Sequence, residues 1–214
     1  MGFPEDDEVN LFDYLTRDDY VMKVEVPFYH SEDDRLVCEI CPRFCKMRDG
    51  QAGYCRVRRR EGDKVIATNY GDTASVSIDP IEKKPLYNFR PGTDILSVGP
   101  NTCNFSCKFC QNWEISQGEV PTRNVKPEQL ADFAERENSV GIAYTYTEPF
   151  MWYEFLLDCG REFHNRGMVN VLVTNGFYTR EPWLKLKPLV DAMNVDLKSI
   201  EPEFYSKLCG GVSN

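Results

Sequence analysis

Histidine is scarce in this chain of 214 residues, where only His30 and His164 occur. Metal sites and acid–base mechanisms that depend on imidazole therefore have little material. Long apolar runs are missing too: no stretch approaches the roughly 20 residues of a transmembrane helix, and no basic segment followed by an apolar run begins the sequence. We expect a cytoplasmic protein with no membrane partner.

Basic residues are in the minority, since 25 Lys and Arg stand against 34 Asp and Glu and give a formal net charge of −9. Proteins that bind nucleic acids or acidic membranes use clustered Lys and Arg, so we expect no nucleic-acid partner. Much of the acidity lies in residues 1–34, which we predict to be an acidic, solvated lead-in. A docking segment for a basic partner is the alternative.

Cysteine, by contrast, is plentiful: nine are present, and seven of them fall in two tight groups. A small secreted protein with this content would be expected to carry disulfides, but no export signal accompanies the cysteines here. Reduced, metal-binding thiols are therefore the better interpretation.

The downstream group consists of Cys103, Cys107 and Cys110. A cubane iron–sulfur cluster normally takes four Cys ligands, so three would leave one iron open for chemistry. From spacing alone two alternatives stay open. A distant cysteine, Cys159 or Cys209, would close the site, or the thiolates would bind a tetrahedral zinc.

The upstream group supplies four more thiolates, from Cys38, Cys41, Cys45 and Cys55. Four soft ligands satisfy either a structural zinc or a closed iron–sulfur cluster. A disulfide pair or unrelated buried thiols are the alternatives. We predict a metal here without choosing between zinc and an auxiliary cluster.

From about residue 95 the sequence alternates short apolar strands with helices, which predicts parallel βαβ units and an α/β fold. Residues 63–94 are interpreted as short strands and turns, because Pro and Gly interrupt them. The predicted strands are 95–98, 140–146, 169–174 and 192–197, and the predicted helices are 127–137, 150–166 and 181–189.

Polar residues follow the carboxyl ends of these predicted strands, where α/β barrels carry their chemistry. The first strand leads to the downstream cysteines, and the second ends at Glu148. The third ends at Thr174 and Asn175, and the fourth at Asp196 and Lys198. At any one strand end the polar residues could belong to an incidental turn. Polar residues at the corresponding end of all four predicted strands favour a functional site.

The CxxxCxxC spacing, with the aromatic Phe109 before the third cysteine, resembles the cluster loop of radical S-adenosylmethionine (SAM) enzymes. The resemblance implies that Cys103, Cys107 and Cys110 hold a [4Fe–4S] cluster whose open iron is chelated by the amino and carboxylate groups of SAM. Reduction of SAM would release a 5′-deoxyadenosyl radical. The resemblance also implies that Phe109 lies near the adenine.

The second strand end resembles that of the glycyl-radical (pyruvate formate-lyase) activating enzymes. Glu148 and Pro149 match a Gly-Gly-Glu-Pro motif that contacts the SAM amino group, and Tyr146 and Thr147 stand at its glycine positions. The resemblance therefore implies that Glu148 binds SAM.

The next two strand ends resemble the same enzymes. Thr174 and Asn175 match an Asp-Thr-Asn-Gly motif in which Val173 replaces the Asp. Asp196 and Lys198 match an Asp-Leu-Lys motif that reaches the SAM ribose or carboxylate, with a surface salt bridge as the alternative.

A more specific resemblance, to the AmmeMemoRadiSam system radical SAM enzymes, covers nearly the whole chain. It rests on both cysteine groups, the block 79–87 and the strand end at Glu148. It implies AMMECR1-like and Memo-like partners, an electron donor such as flavodoxin or ferredoxin, and a protein substrate. For the block 79–87 two roles are expected. It packs against the cluster loop, or Lys83 or Lys84 contacts a carboxylate, which belongs either to SAM or to a partner.

This resemblance implies a partial (β/α)6 barrel, of which four strands are visible. A βα unit takes roughly 30 residues, so we expect about two units to be missing and the barrel to be C-terminally truncated. Four parallel strands would leave an open edge that must be covered or paired. We predict an acidic lead-in at 1–34, a four-cysteine metal module with a short β-rich segment at 35–94, and a radical SAM partial barrel at 95–214.

Two functions are therefore expected. The first is a radical SAM oxidoreductase, resembling activating enzymes, that cleaves SAM reductively and abstracts hydrogen from a substrate. The second is a non-catalytic iron–sulfur or metal-binding assembly protein on the same scaffold.

Overall fold

A computed structural model of the chain describes residues 22–211, so the acidic lead-in predicted at 1–34 lies outside it as far as residue 21. Over this range the chain is a mixed α/β protein. The strands are β1 (Met22–Glu25), β2 (Tyr29–Glu32), β3 (Arg35–Cys38), β4 (Lys46–Met47), β5 (Arg58–Glu61), β6 (Lys64–Tyr70), β7 (Asp72–Pro80), β8 (Asp94–Pro100), β9 (Arg123–Asn124), β10 (Gly141–Tyr144), β11 (Val169–Thr174) and β12 (Ala192–Val195). The α-helices are α1 (Trp113–Gln117), α2 (Pro127–Arg136), α3 (Tyr153–Asn165), α4 (Arg180–Leu186) and α5 (Pro202–Leu208).

The central element is a six-stranded sheet in the order β12-β11-β10-β8-β7-β9. Strands β8, β10, β11 and β12 run parallel, as the β/α alternation predicted. Strands β7 and β9 extend this sheet in antiparallel pairing. The parallel strands therefore bring their carboxyl ends to one edge of the sheet, which is where ligands bind in α/β folds.

Two helices pack on this sheet because their apolar residues recur at helical spacing. Helix α2 buries Leu130, Phe133 and Ala134 and packs on β10, and α3 buries Phe155 and Phe163 and packs on β11. The parallel strands are almost continuous apolar runs, as expected for strands covered on both faces. The buried core of the sheet thus lies directly beneath the strand ends.

Two three-stranded antiparallel sheets, β1-β6-β5 and β2-β3-β4, form the amino-terminal part. It is joined to the central sheet by a reciprocal pair of hydrogen bonds. The Trp152 indole donates to the Asn69 carbonyl at 2.6 Å, and the Asn69 amide donates to the Met151 carbonyl at 3.2 Å. A buried ion pair of 2.5 Å between Arg58 and Glu154 also joins the two parts.

Several element boundaries differ from the sequence predictions. Strand β10 stops at Tyr144 because the backbone turns at Tyr146, which has a φ of +69°. The helix predicted at 150–166 begins as a 3₁₀ turn over Pro149–Trp152. Helices α1 and α5 were not predicted, because each has five to seven residues and is too short to show apolar periodicity.

Strand β7 is longer than the short strand expected from the sequence and pairs with β8 from Thr73 to Pro80. It covers the edge of β8 that four parallel strands alone would leave open. The predicted boundary between residues 94 and 95 therefore falls at the start of β8, inside one continuous sheet, and the domain division stays a prediction.

The sheet remains open across residues 22–211, with β9 at one edge and β12 at the other. A closed barrel is thus not present in this range. In the same residues, no helix combines the length and the apolar character that crossing a membrane requires.

Gly141 at the start of β10 gives a test of the sheet. A Cβ atom there would lie 1.9 Å from the Val169 carbonyl oxygen, so the paired strands would have to separate. We expect Gly141→Ala to lower the free energy of unfolding by about 3 kcal/mol, at the upper end of overpacking costs. Urea denaturation measures the change.

Gly160→Ala in α3 is the control for that substitution. Its Cβ meets only the Leu189 side chain, first at the Leu189 Cβ at 3.1 Å, so Leu189 must shift by a few tenths of an ångström, whereas Ala favours a helix over Gly by about 1 kcal/mol. We expect little net change, and equal losses from the two variants would contradict the close approach of β10 to β11.

Candidate functional site

A cavity of about 650 Å³ opens at the carboxyl ends of β8, β10, β11 and β12. Its volume falls in the range of about 300–1,000 Å³ that small-molecule sites occupy. Every residue that the sequence assigned to the downstream cluster or to SAM lines it. These residues are Cys103, Cys107, Cys110, Phe109, Glu148, Thr174, Asn175, Asp196 and Lys198.

The downstream cysteine loop leaves β8 and presents its sulfurs to this cavity. The Phe105 backbone N–H donates to Cys103 Sγ at 3.4 Å, and the Ser116 hydroxyl lies 3.3 Å from Cys110 Sγ. Burial raises the pKa values of Cys103 and Cys107 to about 12. The free thiols are therefore protonated at neutral pH, and a positively charged centre is needed to hold them as thiolates.

Of the two distant cysteines, Cys209 reaches this loop and Cys159 does not. The Cys209 thiol hydrogen-bonds with Cys107, and its carbonyl accepts the Ser106 backbone N–H at 2.9 Å. Cys159 lies fully buried in α3 beside the Tyr144 hydroxyl. Only Cys209 is placed to complete a closed site.

Glu148 lies at the centre of the strand ends, with 1% of its surface exposed. Its Oε1 accepts hydrogen bonds from the Phe150 N–H at 3.1 Å and the Thr174 hydroxyl at 2.8 Å. Its Oε2 accepts the Asn175 N–H at 2.8 Å. Burial raises the Glu148 pKa to about 7, although these donors and the charge of Lys198 act in the opposite direction. The carboxylate is thus satisfied by hydrogen bonds, and a nearby cation would favour its charged form.

Asn175 connects the strand ends to the cysteine loop. Its side-chain N–H donates to Asn104 Oδ1 at 2.8 Å and approaches Cys103 Sγ at 3.9 Å. Asn104 in turn donates to the Phe177 carbonyl at 2.8 Å. The position of Cys103 is therefore coupled to the end of β11.

The remaining predicted residues line the outer part of the cavity. Asp196 and Lys198 form an ion pair with each other, and the Asp196 backbone N–H donates to the Thr174 carbonyl at 2.8 Å. Phe109 is 51% exposed, and its ring centroid lies 5.6 Å from that of Phe204 in α5. Both the ion pair and the aromatic ring are accessible to a ligand.

Tyr146 holds a left-handed backbone, with φ +69°, which glycine adopts without strain and which costs about 1–3 kcal/mol for other residues. It stands at the first glycine position of the activating-enzyme motif. The Asn112 amide holds its carbonyl at 2.7 Å, and its hydroxyl donates to Asp79 at 2.8 Å. The chain therefore keeps a glycine-like turn at this strand end and stabilises it with side chains.

Asp79 gives the block 79–87 a physical role. Its buried carboxylate accepts hydrogen bonds from Lys83 at 2.7 Å, Lys84 at 2.6 Å and Tyr146. Burial alone would raise the Asp79 pKa, but these donors outweigh it and hold the pKa well below its ordinary value. Both lysines line the cavity, so their contact with a ligand carboxylate stays a prediction.

The upstream cysteines line a second, smaller cavity. Its walls include Cys38, Cys41, Cys45, Cys55 and Arg58. In the part of the chain from residue 22 to 211, no three Cys, His, Asp or Glu side chains meet at a single-ion site, in either cavity. What the members of each cysteine group share is therefore the cavity that they line, and not a preformed single-ion geometry.

Sequence reasoning missed three polar residues of the main site. Asn104 directly follows Cys103, and Asn112 lies two residues after Cys110. This closeness in sequence is the signal that could have identified them. Asp79 had no signal except its place in the block 79–87, on which the predicted resemblance partly rests. Its function depends on a contact 67 residues away in sequence, with Tyr146.

Comparison with known proteins adds an independent finding. Residues 97–214, more than half of the chain, match the family model of the Radical SAM superfamily. Uncharacterized protein MJ0808 of Methanocaldococcus jannaschii is 46% identical over 189 residues, which are 86% of this chain and 56% of that protein. Uncharacterized protein MJ0674 of the same organism is 25% identical over 182 residues, 81% of this chain and 47% of that protein. The chain spans about half the length of these curated relatives.

The pKa of Glu148 predicts a pH-dependent stability. The carboxyl titrates near 7 when folded and at an ordinary value of 4.5 when unfolded, so the folded state binds more protons between these values. Stability should therefore fall as pH rises from 4.5 to 7, by up to about 3 kcal/mol. Glu148→Gln removes this titration.

Urea unfolding of the metal-free proteins at several pH values tests this prediction. Relative to the wild type, Glu148→Gln should gain stability from pH 5 to about pH 7 and level off above it, whatever fixed cost the amide brings. Parallel pH profiles would show that the buried carboxyl keeps its ordinary pKa.

The Asp79 cluster gives a second prediction. Asp79→Ala leaves Lys84, which is 2% exposed, as a buried cation without its carboxylate. We expect a loss of about 3–5 kcal/mol in unfolding free energy. Lys83→Ala is the control, because that side chain is 64% exposed and its pairing should contribute about 0–1 kcal/mol. Equal midpoints of denaturation for the two variants would contradict the prediction.

Proposed function

The chain belongs to the radical SAM superfamily, and from that premise we propose that it is a radical SAM enzyme whose cavity binds SAM beside a [4Fe–4S] cluster. Cys103, Cys107 and Cys110 would hold the cluster. The observation that carries this proposal is that the three thiols and the polar strand ends line one cavity.

The residues present fit both groups. Three thiols are the soft ligands that iron–sulfur clusters take, and the Phe105 N–H and Ser116 hydroxyl already lie at sulfur atoms. The cavity volume of about 650 Å³ suits a ligand the size of SAM. When bound, these cofactors supply one-electron reduction of the SAM sulfonium and release of a 5′-deoxyadenosyl radical, which no side chain provides.

Glu148 is the residue that we assign to the SAM amino group. Its buried carboxylate has a raised pKa, and an ammonium group beside it would favour the charged form. Glu148 also accepts hydrogen bonds from Thr174 and Asn175, so it positions two strand ends as well as the ligand.

The outer residues are assigned to the rest of SAM. Asp196 and Lys198 would meet the ribose and the carboxylate, and Phe109 the adenine. Lys198 would then exchange part of its pairing with Asp196 for the ligand carboxylate. Asn175 would hold Cys103 in place while SAM binds. Holding the reacting groups in a fixed relative position lowers the barrier to reaction.

The finer assignment is an activating-enzyme-like oxidoreductase of the AmmeMemoRadiSam systems, which abstracts hydrogen from a protein substrate. The sequence resemblance supports it, and four parallel strands in sequential order are what part of a (β/α)6 barrel would contribute. Its proposed partners are AMMECR1-like and Memo-like proteins and a flavodoxin or ferredoxin electron donor.

The test of SAM cleavage is anaerobic reconstitution of the chain with iron and sulfide, reduction with dithionite, and measurement of 5′-deoxyadenosine. We expect product from the wild type and none above background from Cys103→Ala, because a cluster ligand is lost. Cys159→Ala is the matched control, since this buried cysteine lies outside both groups, and it should retain activity. A wild-type protein with intact clusters and no product would overturn the proposal.

A second candidate function, a non-catalytic iron–sulfur or metal-binding assembly protein, is favoured by one contact. The Cys209 thiol hydrogen-bonds with Cys107 and is placed to close the site. If the cluster is open, Cys209→Ala keeps SAM cleavage. If the cluster is closed, the wild type is inactive and Cys209→Ala loses iron.

The activating role needs its own measurement. Reduced enzyme, SAM and a candidate protein substrate should together give a glycyl-radical signal by electron paramagnetic resonance. SAM cleavage without that signal from any candidate would reject the activating role and leave the radical SAM assignment standing.

A further inference from the structure

The second cavity contains a buried cation with unused hydrogen-bond donors. Arg58 is 1% exposed and lies in the cavity wall with the four upstream cysteines. Its Nη1 binds Glu154 Oε2 at 2.5 Å, but its Nε and Nη2 have no hydrogen-bond partner among residues 22–211. A buried N–H without a partner is unfavourable, and more so when the group is charged. The cavity therefore favours an occupant that accepts hydrogen bonds and carries negative charge.

The backbone around the same cavity points to the sulfur atoms. The Ile40 N–H is directed at Cys38, and the Arg43 N–H is directed at Cys41. Each donor follows its cysteine by two residues, which curls the chain around the sulfur. The remaining two sulfurs have the same kind of neighbour: the Tyr54 N–H donates to Cys45 Sγ at 3.4 Å, and the Val57 and Arg58 N–H groups are directed at Cys55.

Donors of this kind stabilise thiolates more than thiols, because hydrogen bonds to a charged acceptor are stronger. Four neutral thiols carry no charge that a guanidinium and five backbone N–H groups would have to stabilise. All four cysteines are free, so the arrangement is not that of a disulfide pair. The cavity is thus organised for several thiolates at once.

We infer that Cys38, Cys41, Cys45 and Cys55 hold a closed metal centre whose negative charge is compensated by Arg58. Four thiolates leave a net negative charge around either a zinc ion or a [4Fe–4S] cluster, so the two occupants share the chemistry that Arg58 recognises. Because no three of these side chains meet at a single-ion site among residues 22–211, the geometry favours the larger cluster, and zinc would have to draw the sulfurs together. All four positions are filled by protein, so this centre has no open site for a substrate. The inference does not rest on SAM cleavage.

The centre would also support the cysteine loop of the main site. Arg43, between two upstream ligands, donates to the Asn104 carbonyl at 2.7 Å. The buried Thr102 hydroxyl donates to the Cys55 carbonyl. Asn104 and Thr102 flank Cys103, so each upstream ligand loop holds one side of a downstream ligand.

The first experiment removes the downstream ligands. A chain with Cys103, Cys107 and Cys110 all changed to Ala is purified anaerobically and reconstituted, and its zinc, iron and acid-labile sulfide are measured. We expect it to retain metal: zinc without sulfide identifies a zinc site, and iron with sulfide identifies a cluster. A triple variant that has the wild-type circular dichroism spectrum and holds neither metal would overturn the inference.

If the triple variant does not fold, the wild type provides the second measurement. Its metal content should exceed what one cubane cluster accounts for, as extra iron with sulfide or as zinc. Wild-type protein with one cluster and nothing more would count against the centre.

The second experiment tests Arg58. Changes to groups that hydrogen-bond metal ligands typically cost about 10- to 100-fold in metal affinity, so we expect Arg58→Met to lower affinity by this factor in a chelator competition. Arg59→Met is the control, because the neighbouring guanidinium is exposed on the other side of β5, and it should leave affinity unchanged.

A double variant separates this role from the ion pair. Arg58→Met with Glu154→Leu removes both buried charges and restores neutrality in the wall. If Arg58 serves only Glu154, metal affinity returns to the wild-type value. The inference expects affinity to stay low, because the donors to the thiolates are still missing.

Discussion

The main site depends on one buried carboxylate. Glu148 gathers donors from the turn after β10 and from the end of β11, so a single acidic side chain aligns two strand ends. Asn175 extends that alignment to Cys103. The desolvation of Glu148 opposes folding at neutral pH, and the hydrogen bonds offset only part of it. A residue that costs stability in this way is expected at a ligand site, where a bound cation restores the balance.

Arg58 presents the complementary case in the amino-terminal part. It is a buried cation with too few acceptors, whereas Glu148 is a buried anion with no cation in contact among the described residues. Both charges lie in walls of cavities that cysteines also line. The common principle is that a buried charge persists when a ligand or partner compensates it. In the two proposals made above, a ligand ammonium would compensate Glu148, and metal-bound thiolates would add to the compensation that Glu154 gives Arg58.

The sequence predicted the parallel strands and the cysteine groups because their signals are local. Continuous apolar runs gave β8, β10, β11 and β12, and turn residues gave the ends where Glu148 and Asn175 lie. It did not predict that β7 would extend the sheet, since that pairing depends on a long-range contact with β8. Nor did it identify Arg58, whose role arises only when β5 packs on Glu154 of α3. Local sequence patterns therefore predict the strands and helices, whereas the buried charge pairs depend on contacts between residues that are distant in sequence.

The replacement of glycine by Tyr146 shows how the two levels combine. By pattern alone the substitution weakens the match to the activating-enzyme motif, because a tyrosine resists a positive φ. In the fold its hydroxyl binds Asp79, which is held in turn by Lys84, so the side chain that strains the backbone also anchors it. Glycine would relieve the strain but lose this connection between the end of β7 and the turn after β10. Asp79 and Lys84 of the block 79–87 and Tyr146 of the altered motif thus form one hydrogen-bonded arrangement.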